Sequence, residues 1–452
     1  MDLRKEMRKG MVRRSRALVI SPRFWKSRIV FWAGAVTVGL VSLGFARAAD
    51  ESQRLFQDLI GHGERAWIAL LLTPAGFVFC AWAAARFFPG TQGSGIPQAI
   101  AARHLDRESR GVYLTIRLAA GKLVLTLIGL LCGASSGREG PTVQIGAAIM
   151  LLAARIGGMA QARGLILAGS AAGVAAAFNT PLAGIVFAIE EMSRSYSART
   201  NGVVLSAVII AGVTTYAIDG SYTYYGETDV AALLLDDWPI VLATGIAGGL
   251  LGAVFTKGTL WCTRRIRRIR RLVPGRRLVA VAAATGLVVA LAGLLTHGDV
   301  FGTSYEEARG AVEGQSLSPL FFIAKFVATL ATTVSGIPGG LFAPSLSVGA
   351  GLGNWLGQML GADLGLATVL GMAGYFAGVV QAPMTAFIIV VEMTGSHDDI
   401  IPIMTSAMLG YGLSRIVCPE PLYHALSRLW IADAIRARRA IEQAAREEDR
   451  AG

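Results

Sequence analysis

Runs of apolar residues long enough, or nearly long enough, to cross a hydrocarbon layer recur along the chain. They lie at Ile29 to Ala46, Ala66 to Ala85, Leu118 to Cys132, Val203 to Tyr216, Ile240 to Val254 and Leu278 to Leu295. A helix rises about 1.5 Å per residue, so a span needs roughly 20 of them. Other apolar stretches, Thr142 to Ala154 and Leu165 to Phe178, are too short or too interrupted to span by themselves. Such segments are tolerated at membrane depth only where they are buried in protein or line a polar cavity. The pattern therefore predicts an all-α polytopic transporter or channel rather than a simple anchor.

The apolar helices fall into two series of similar length. The predicted organisation is a basic N-terminal segment over 1–25, a first membrane repeat over 26–218, a polar connection over 219–237 and a second membrane repeat over 238–417. A C-terminal helix with a short tail follows over 418–452. Each half carries a Gly-Pro-punctuated segment followed by a short helix, Gly137 to Pro141 in the first and Gly336 to Pro344 in the second. Corresponding interruptions in two halves mark an inverted repeat with its site at the repeat interface. Glycine also permits close helix packing, but packing alone does not explain prolines at matching places.

Composition strengthens this reading. Of the 452 residues, 53% are hydrophobic and only 16% charged, more apolar than one water-soluble core of this size requires. The net charge of +12 is concentrated at Arg4 to Arg16, Arg264 to Arg277 and around Arg436 to Arg446. Each run lies close to an apolar span, whereas a nucleic-acid partner would ask for a polar domain to hold it. The positive-inside rule then puts all three runs, and both termini, in the cytoplasm. Arg4 to Arg16 is too long and too basic for the n-region of a signal peptide. Cys80, Cys132, Cys262 and Cys418 are scattered without CxxC spacing and read as packing residues, not disulfides or metal ligands.

The chemistry concentrates in three glycine-rich segments, each where a helix should begin: Gly93-Ser94-Gly95-Ile96-Pro97, Gly137-Arg138-Glu139-Gly140-Pro141, and Gly336 through Gly340 to Leu341-Phe342-Ala343-Pro344. Proline fits the first helical turn and glycine allows the tight entry. A helix N-terminus offers unpaired N–H groups and the positive end of the macrodipole, so several converging on one point bind an anion without a full cationic charge. Such a site also lets the anion leave, which conduction requires. Taken singly, Ser94 could equally be an ordinary N-cap and Glu139 a first-turn acid complementing the dipole.

In this order and with these residues, the three segments resemble the signature segments of the chloride channel/transporter superfamily. The resemblance extends to Ala177 through Gly184 leading to Glu190-Glu191-Met192, to Gln381-Ala382-Pro383-Met384-Thr385 leading to Glu392-Met393-Thr394, and to Pro421-Leu422-Tyr423. It covers roughly residues 90 to 425, and the first helices fit by hydropathy only.

The resemblance implies a homodimer with one pore per subunit, each subunit built of two inverted-topology repeats with about 18 tilted, partly non-spanning helical segments. It implies an anion site formed by Ser94, Gly95, Ile96, Pro97, the backbone near Arg138 and Gly140, the amides of Leu341 and Phe342, and the Tyr423 phenol. A serine at Ser94 argues for chloride. Glu139 matches the external gating glutamate, which competes with the anion when ionised and swings away when protonated. Glu191 matches the internal proton glutamate of exchanging members, and in channel members that position is generally nonacidic. The expected activity is chloride/proton exchange, with a passive chloride-selective channel as the alternative. The expected partners are the two ions, the lipid bilayer and a second copy, with no cofactor, no metal and no nucleic acid. The compact, tail-less architecture resembles prokaryotic members and points to a bacterial inner membrane.

Two features qualify this picture. Glu190 and Glu191 end an apolar helix, where carboxylate pairs commonly form a solvated boundary. After Pro97 come Gln98, Ala99 and Ile100, where some bacterial members place carboxylates that partner a buried lysine, here Lys122. An unpaired buried ammonium is costly, and the sequence leaves Lys122's partner open. An enzyme reading finds no footing: His62, His104, His297, His397 and His424 show no ligand spacing. Gly133-Ala134-Ser135-Ser136-Gly137 fits Gly-x-Ser-x-Gly but follows a helix, not a strand.

Overall fold

The computed structural model describes residues 22–61, 65–160, 162–193, 198–220, 223–226, 237–272 and 276–451. The Arg4 to Arg16 run, His62 and most of the polar connection lie outside the described residues.

Among the described residues the chain is all-helical. The first half comprises α1 (Pro22–Ile60), α2 (Ala69–Arg86), α3 (Ile96–His104), α4 (Arg107–Arg110), α5 (Ile116–Leu131), α6 (Glu139–Ile156), α7 (Ala162–Phe178), α8 (Pro181–Phe187) and α9 (Ala198–Asp219). The second comprises α10 (Trp238–Leu272), α11 (Arg276–Leu295), α12 (Tyr305–Val312), α13 (Pro319–Val334), α14 (Phe342–Leu360), α15 (Leu364–Val380), α16 (Pro383–Thr394), α17 (Ile400–Val417) and α18 (Leu422–Ala451). Starts are set by local chemistry. Thr115 accepts from the Leu118 N–H at 3.2 Å and Asp363 from that of Leu366 at 2.8 Å, while prolines open α3, α8, α13 and α16.

Among the described residues six helices are long and apolar enough to cross a membrane: Trp25–Ile60, Ala66–Arg86, Gly202–Asp219, Trp238–Arg268, Leu278–Leu295 and Ile400–Val417. One of these adds to the sequence expectation, and one expected run is missing from them. The Leu118 to Cys132 run sits in α5, whose 16 residues fall short of a span. The span at Ile400–Val417 escaped notice because Thr405, Ser406, Gly410, Gly412 and Ser414 dilute its apolar run.

The middle of the molecule is made of helices that touch almost no solvent-facing surface. Every residue of α7 from Leu165 to Phe178 and of α15 from Gly365 to Val380 is buried. The stretch Thr142 to Ala154, too short as a span, is most of the largely buried α6. α6 packs on α7 and α14 on α15 with backbones in near contact. A methyl group on Gly146 would strike the carbonyl of Gly169, and one on Gly349 that of Gly371.

Those two helix pairs occupy equivalent places in the two halves. Lys122, Gly137, Pro141 and Gly146 share one numbering offset with Lys325, Gly340, Pro344 and Gly349. Asn179, Pro181 and Glu190 share a slightly shorter one with Gln381, Pro383 and Glu392. Asn179 and Gln381 even adopt the same left-handed backbone, φ 57° at each.

Candidate anion and proton pathway

The three glycine-rich segments do start helices, and the chain ties their N-termini to one another. Gly93 donates to the Ile337 carbonyl at 3.0 Å and accepts from the Gly339 N–H at 3.2 Å. Gly137 and Gly340 exchange two hydrogen bonds of 2.8 Å. These short bridges fasten the starts of α3 and α6 to that of α14, across the two halves of the chain. Gly95 precedes α3 with φ 104°, a conformation L side chains avoid, and a Cβ there would lie 2.8 Å from the Gly140 carbonyl. The helix ends therefore converge as closely as backbone allows.

Into this convergence project the groups singled out from the sequence. Ser94 ends the first loop, Ile96 and Pro97 open α3, Arg138 caps α6, Glu139 is its first residue with Gly140 next, Leu341 caps α14 and Phe342 opens it. Tyr423, at the start of α18, is wholly buried, with its ring centroid 6.0 Å from that of Phe342. Its phenol lies within electrostatic reach of Ser94, Glu139 and Glu191. The Ser94 and Tyr423 hydroxyls and both Glu139 carboxylate oxygens are buried without a hydrogen-bond partner among the described residues. Buried polar groups are ordinarily satisfied, so these two unsatisfied hydroxyls and one unsatisfied carboxylate around helix ends have the character of a binding site. The Glu139 carboxylate lies close to the N–H groups of Arg138, Glu139 and Ala343 without a formed hydrogen bond to them.

Ser94 opens onto a cavity of about 410 Å³, also lined by Gln98, Thr259, Arg267, Ser335 and Leu341. Arg138 lines a second cavity of about 270 Å³, with Asp50, Gln53, Tyr224 and Glu306. The Arg138 side chain was not foreseen. Its guanidinium donates to the Ala46 carbonyl at 2.7 Å and to Asp50 at 2.5 Å, and lies 5.5 Å from the Tyr224 ring centroid. Cation–π contact and ion pairing together fix the α6 start beside α1.

Glu191 is 1% exposed. It sits in a π-helical turn, Ala188–Ser193, that continues α8, a rare geometry often found at functional sites. A solvated boundary is therefore the wrong description of the Glu190–Glu191 pair. Glu190 accepts from the Met384 and Thr385 N–H groups at 3.2 and 2.6 Å, the free N-terminus of α16. Glu392 does the reciprocal service for α8, accepting from Leu182 at 3.0 Å and Ala183 at 2.7 Å. Both motifs were visible in the sequence, but not that each carboxylate caps the other repeat's helix.

Lys122 solves its burial without a carboxylate. Its Nζ donates to the Thr91 carbonyl at 2.9 Å and to Gln144 Oε1 at 2.8 Å. Gln144 is held in turn by the Tyr113 carbonyl at 2.9 Å, and Gln98 donates to the Gln92 carbonyl at 2.5 Å. Among the described residues no carboxylate lies within ion-pair distance of Lys122.

The family model described as voltage gated chloride channel matches residues 76–415. A protein named H(+)/Cl(-) exchange transporter ClcA from Yersinia pestis bv. Antiqua (strain Angola) is 31% identical over 430 residues, covering 89% of this chain and 87% of that protein. One of the same name from Vibrio vulnificus (strain YJ016) is 30% identical, covering 88% and 89% respectively. Among solved structures, a slow cyanobacterial Cl-/H+ antiporter superposes with a TM-score of 0.78 at 24% identity, over 91% of this chain and 99% of that one. A CLC-type fluoride/proton antiporter gives 0.72 at 23% identity, over 88% and 96%. These two likenesses establish the fold.

Proposed function

The chain belongs to the voltage gated chloride channel family, and from that premise we propose that it is a secondary active transporter exchanging chloride for protons. It is an integral multi-pass membrane protein and not an enzyme. The proposed assembly is a homodimer with one pathway per subunit, in a bacterial inner membrane with both termini cytoplasmic. Within each subunit the residue boundaries 26–218 and 238–417 delimit the two membrane repeats.

In the proposed cycle, chloride rests among the N-termini of α3, α6 and α14, where Ser94 and Tyr423 donate from their hydroxyls and the amides of Leu341 and Phe342 from the backbone. Gly95, Ile96 and Pro97 shape the α3 start, and the backbone at Arg138 and Gly140 lines a more external position. The Glu139 carboxylate competes with chloride for the same helix ends. Protonation removes its charge and its attraction to them, so the side chain leaves and the anion enters. Glu191 supplies protons from the internal side. Neither step needs a metal or organic cofactor, since the charges that move belong to the ions and the two carboxylates.

The observation that carries the exchange reading is the second carboxylate, Glu191, buried on the Tyr423 side of the site. A passive channel has no use for a proton donor there. Ser94 and Tyr423 favour chloride over fluoride, because fluoride-exporting members depart from the Gly-Ser-Gly-Ile-Pro pattern and lack the matching tyrosine. Paired flux measurements on Glu191→Gln test the reading. Chloride movement is expected to persist while coupled proton movement disappears. Proton movement equal to wild type would remove Glu191 from the pathway.

A further inference from the structure

Glu191 is sealed in the protein, yet a carboxylate that cycles protons must trade them with water. The side chain poised to mediate that exchange is His424, which follows Tyr423 on the first turn of α18. Its Nε2 lies 2.9 Å from the Glu191 carbonyl oxygen and 3.7 Å from Glu191 Oε1. The His424 side chain is 16% exposed against 2% for that of Glu191, so the imidazole reaches both the surface of the subunit and the carboxylate.

We propose that His424 is a proton-transfer residue between water on the Glu191 side of the membrane and Glu191 itself. The inference rests on the exchange reading above. An imidazole ionises near pH 6.5 in the absence of perturbation, so it gains and loses protons readily at physiological pH. Taking a proton from water makes the imidazolium. Its Nε2–H proton then passes to Glu191 Oε1, leaving neutral histidine and a neutral carboxylic acid, and the reverse transfer returns it. A carboxylate rotation that shortens 3.7 Å to hydrogen-bond length completes the contact. The bond from Nε2–H to the Glu191 carbonyl places the ring before the transfer and is given up with the proton.

The surroundings suit this role. α18 packs on α3, α10 and α15. From α3, Arg103 donates to the Met192 carbonyl, one residue past Glu191, and His104 ends the helix. From α10, Arg264 and Arg267 are engaged by Glu420 and Asp433. α15 carries no charged side chain. Arg103 braces the π-turn against α3.

The test uses the full-length protein in liposomes, with chloride and proton fluxes recorded together for wild type, His424→Ala and His424→Gln. Proton flux is expected to fall about tenfold or more in both variants, with chloride binding unchanged. Imidazole added on both faces is expected to restore the alanine variant. Wild-type proton flux in either variant would overturn the proposal, and so would a loss that imidazole does not repair, because the histidine would then serve only to brace the π-turn. Should the alanine variant fail to fold, the glutamine variant decides. If wild-type protein moves chloride without protons, the exchange reading itself fails; if only the variants match wild type, that reading stands and His424 alone is excluded.

Discussion

Ser94 and Tyr423 meet the pathway with hydroxyls that have no other hydrogen-bond partner among the described residues. Removing one leaves the helix dipoles and amides in place, so the loss is that of a hydrogen bond to a charged group, about 1.5–3 kcal/mol, or roughly ten- to a hundredfold in affinity. Ser94→Ala and Tyr423→Phe should each weaken chloride binding by that order, as read by calorimetric titration of the purified protein, without loss of folding. Unchanged affinity in both would mean that the hydroxyls do not face the anion. Lys122 obeys a different logic. Its partners are a carbonyl and an amide, so Lys122→Met strands two buried acceptors and should lower stability by about 1–3 kcal/mol. A thermal unfolding midpoint equal to wild type would show that the ammonium contributes nothing there.

At the scale of elements, the reciprocal caps are the structural novelty. α8 and α16 are short, each begins at a proline, and each presents its free N–H groups to a carboxylate from the opposite half, Glu392 and Glu190 respectively. Two acids therefore hold the repeats in register close to Glu191. Glu392→Ala should leave the Leu182 and Ala183 N–H groups unpaired and cost about 1–2 kcal/mol. The unfolding midpoint in detergent reads this, and a midpoint unmoved from wild type would deny the cap. The helix starts were legible because Gly-Pro punctuation is local chemistry, and Ser94, Glu139 and Tyr423 were legible because their motifs are specific. The caps, the Arg138 contacts and the amide partners of Lys122 were not, since each joins residues brought together only by tertiary packing. In the sequence His424 reads only as a histidine without ligand spacing, because its partner lies in a distant element. The Ile400–Val417 span was hidden by its own small and polar residues, which the interior of a helix cluster accepts.

Across the whole molecule, the same arrangement appears twice in opposite halves, and the site forms where the halves touch through the Gly93–Ile337 and Gly137–Gly340 bridges. In the proposed cycle such a seam lets a few side chains control access without large motion of the helices, because the anion, Glu139 and the proton path would share one narrow region. The basic end of α10 is tied to α18 by Arg264–Glu420 at 2.5 Å and Arg267–Asp433 at 2.6 Å, so part of that arginine run also docks the helix that carries Tyr423 and His424. The central claim is coupling. Purified protein in liposomes, given a chloride gradient and no initial pH difference, should drive protons uphill until the two gradients balance. Chloride flow with no accompanying proton movement would contradict the account and leave a passive anion pathway on the same fold.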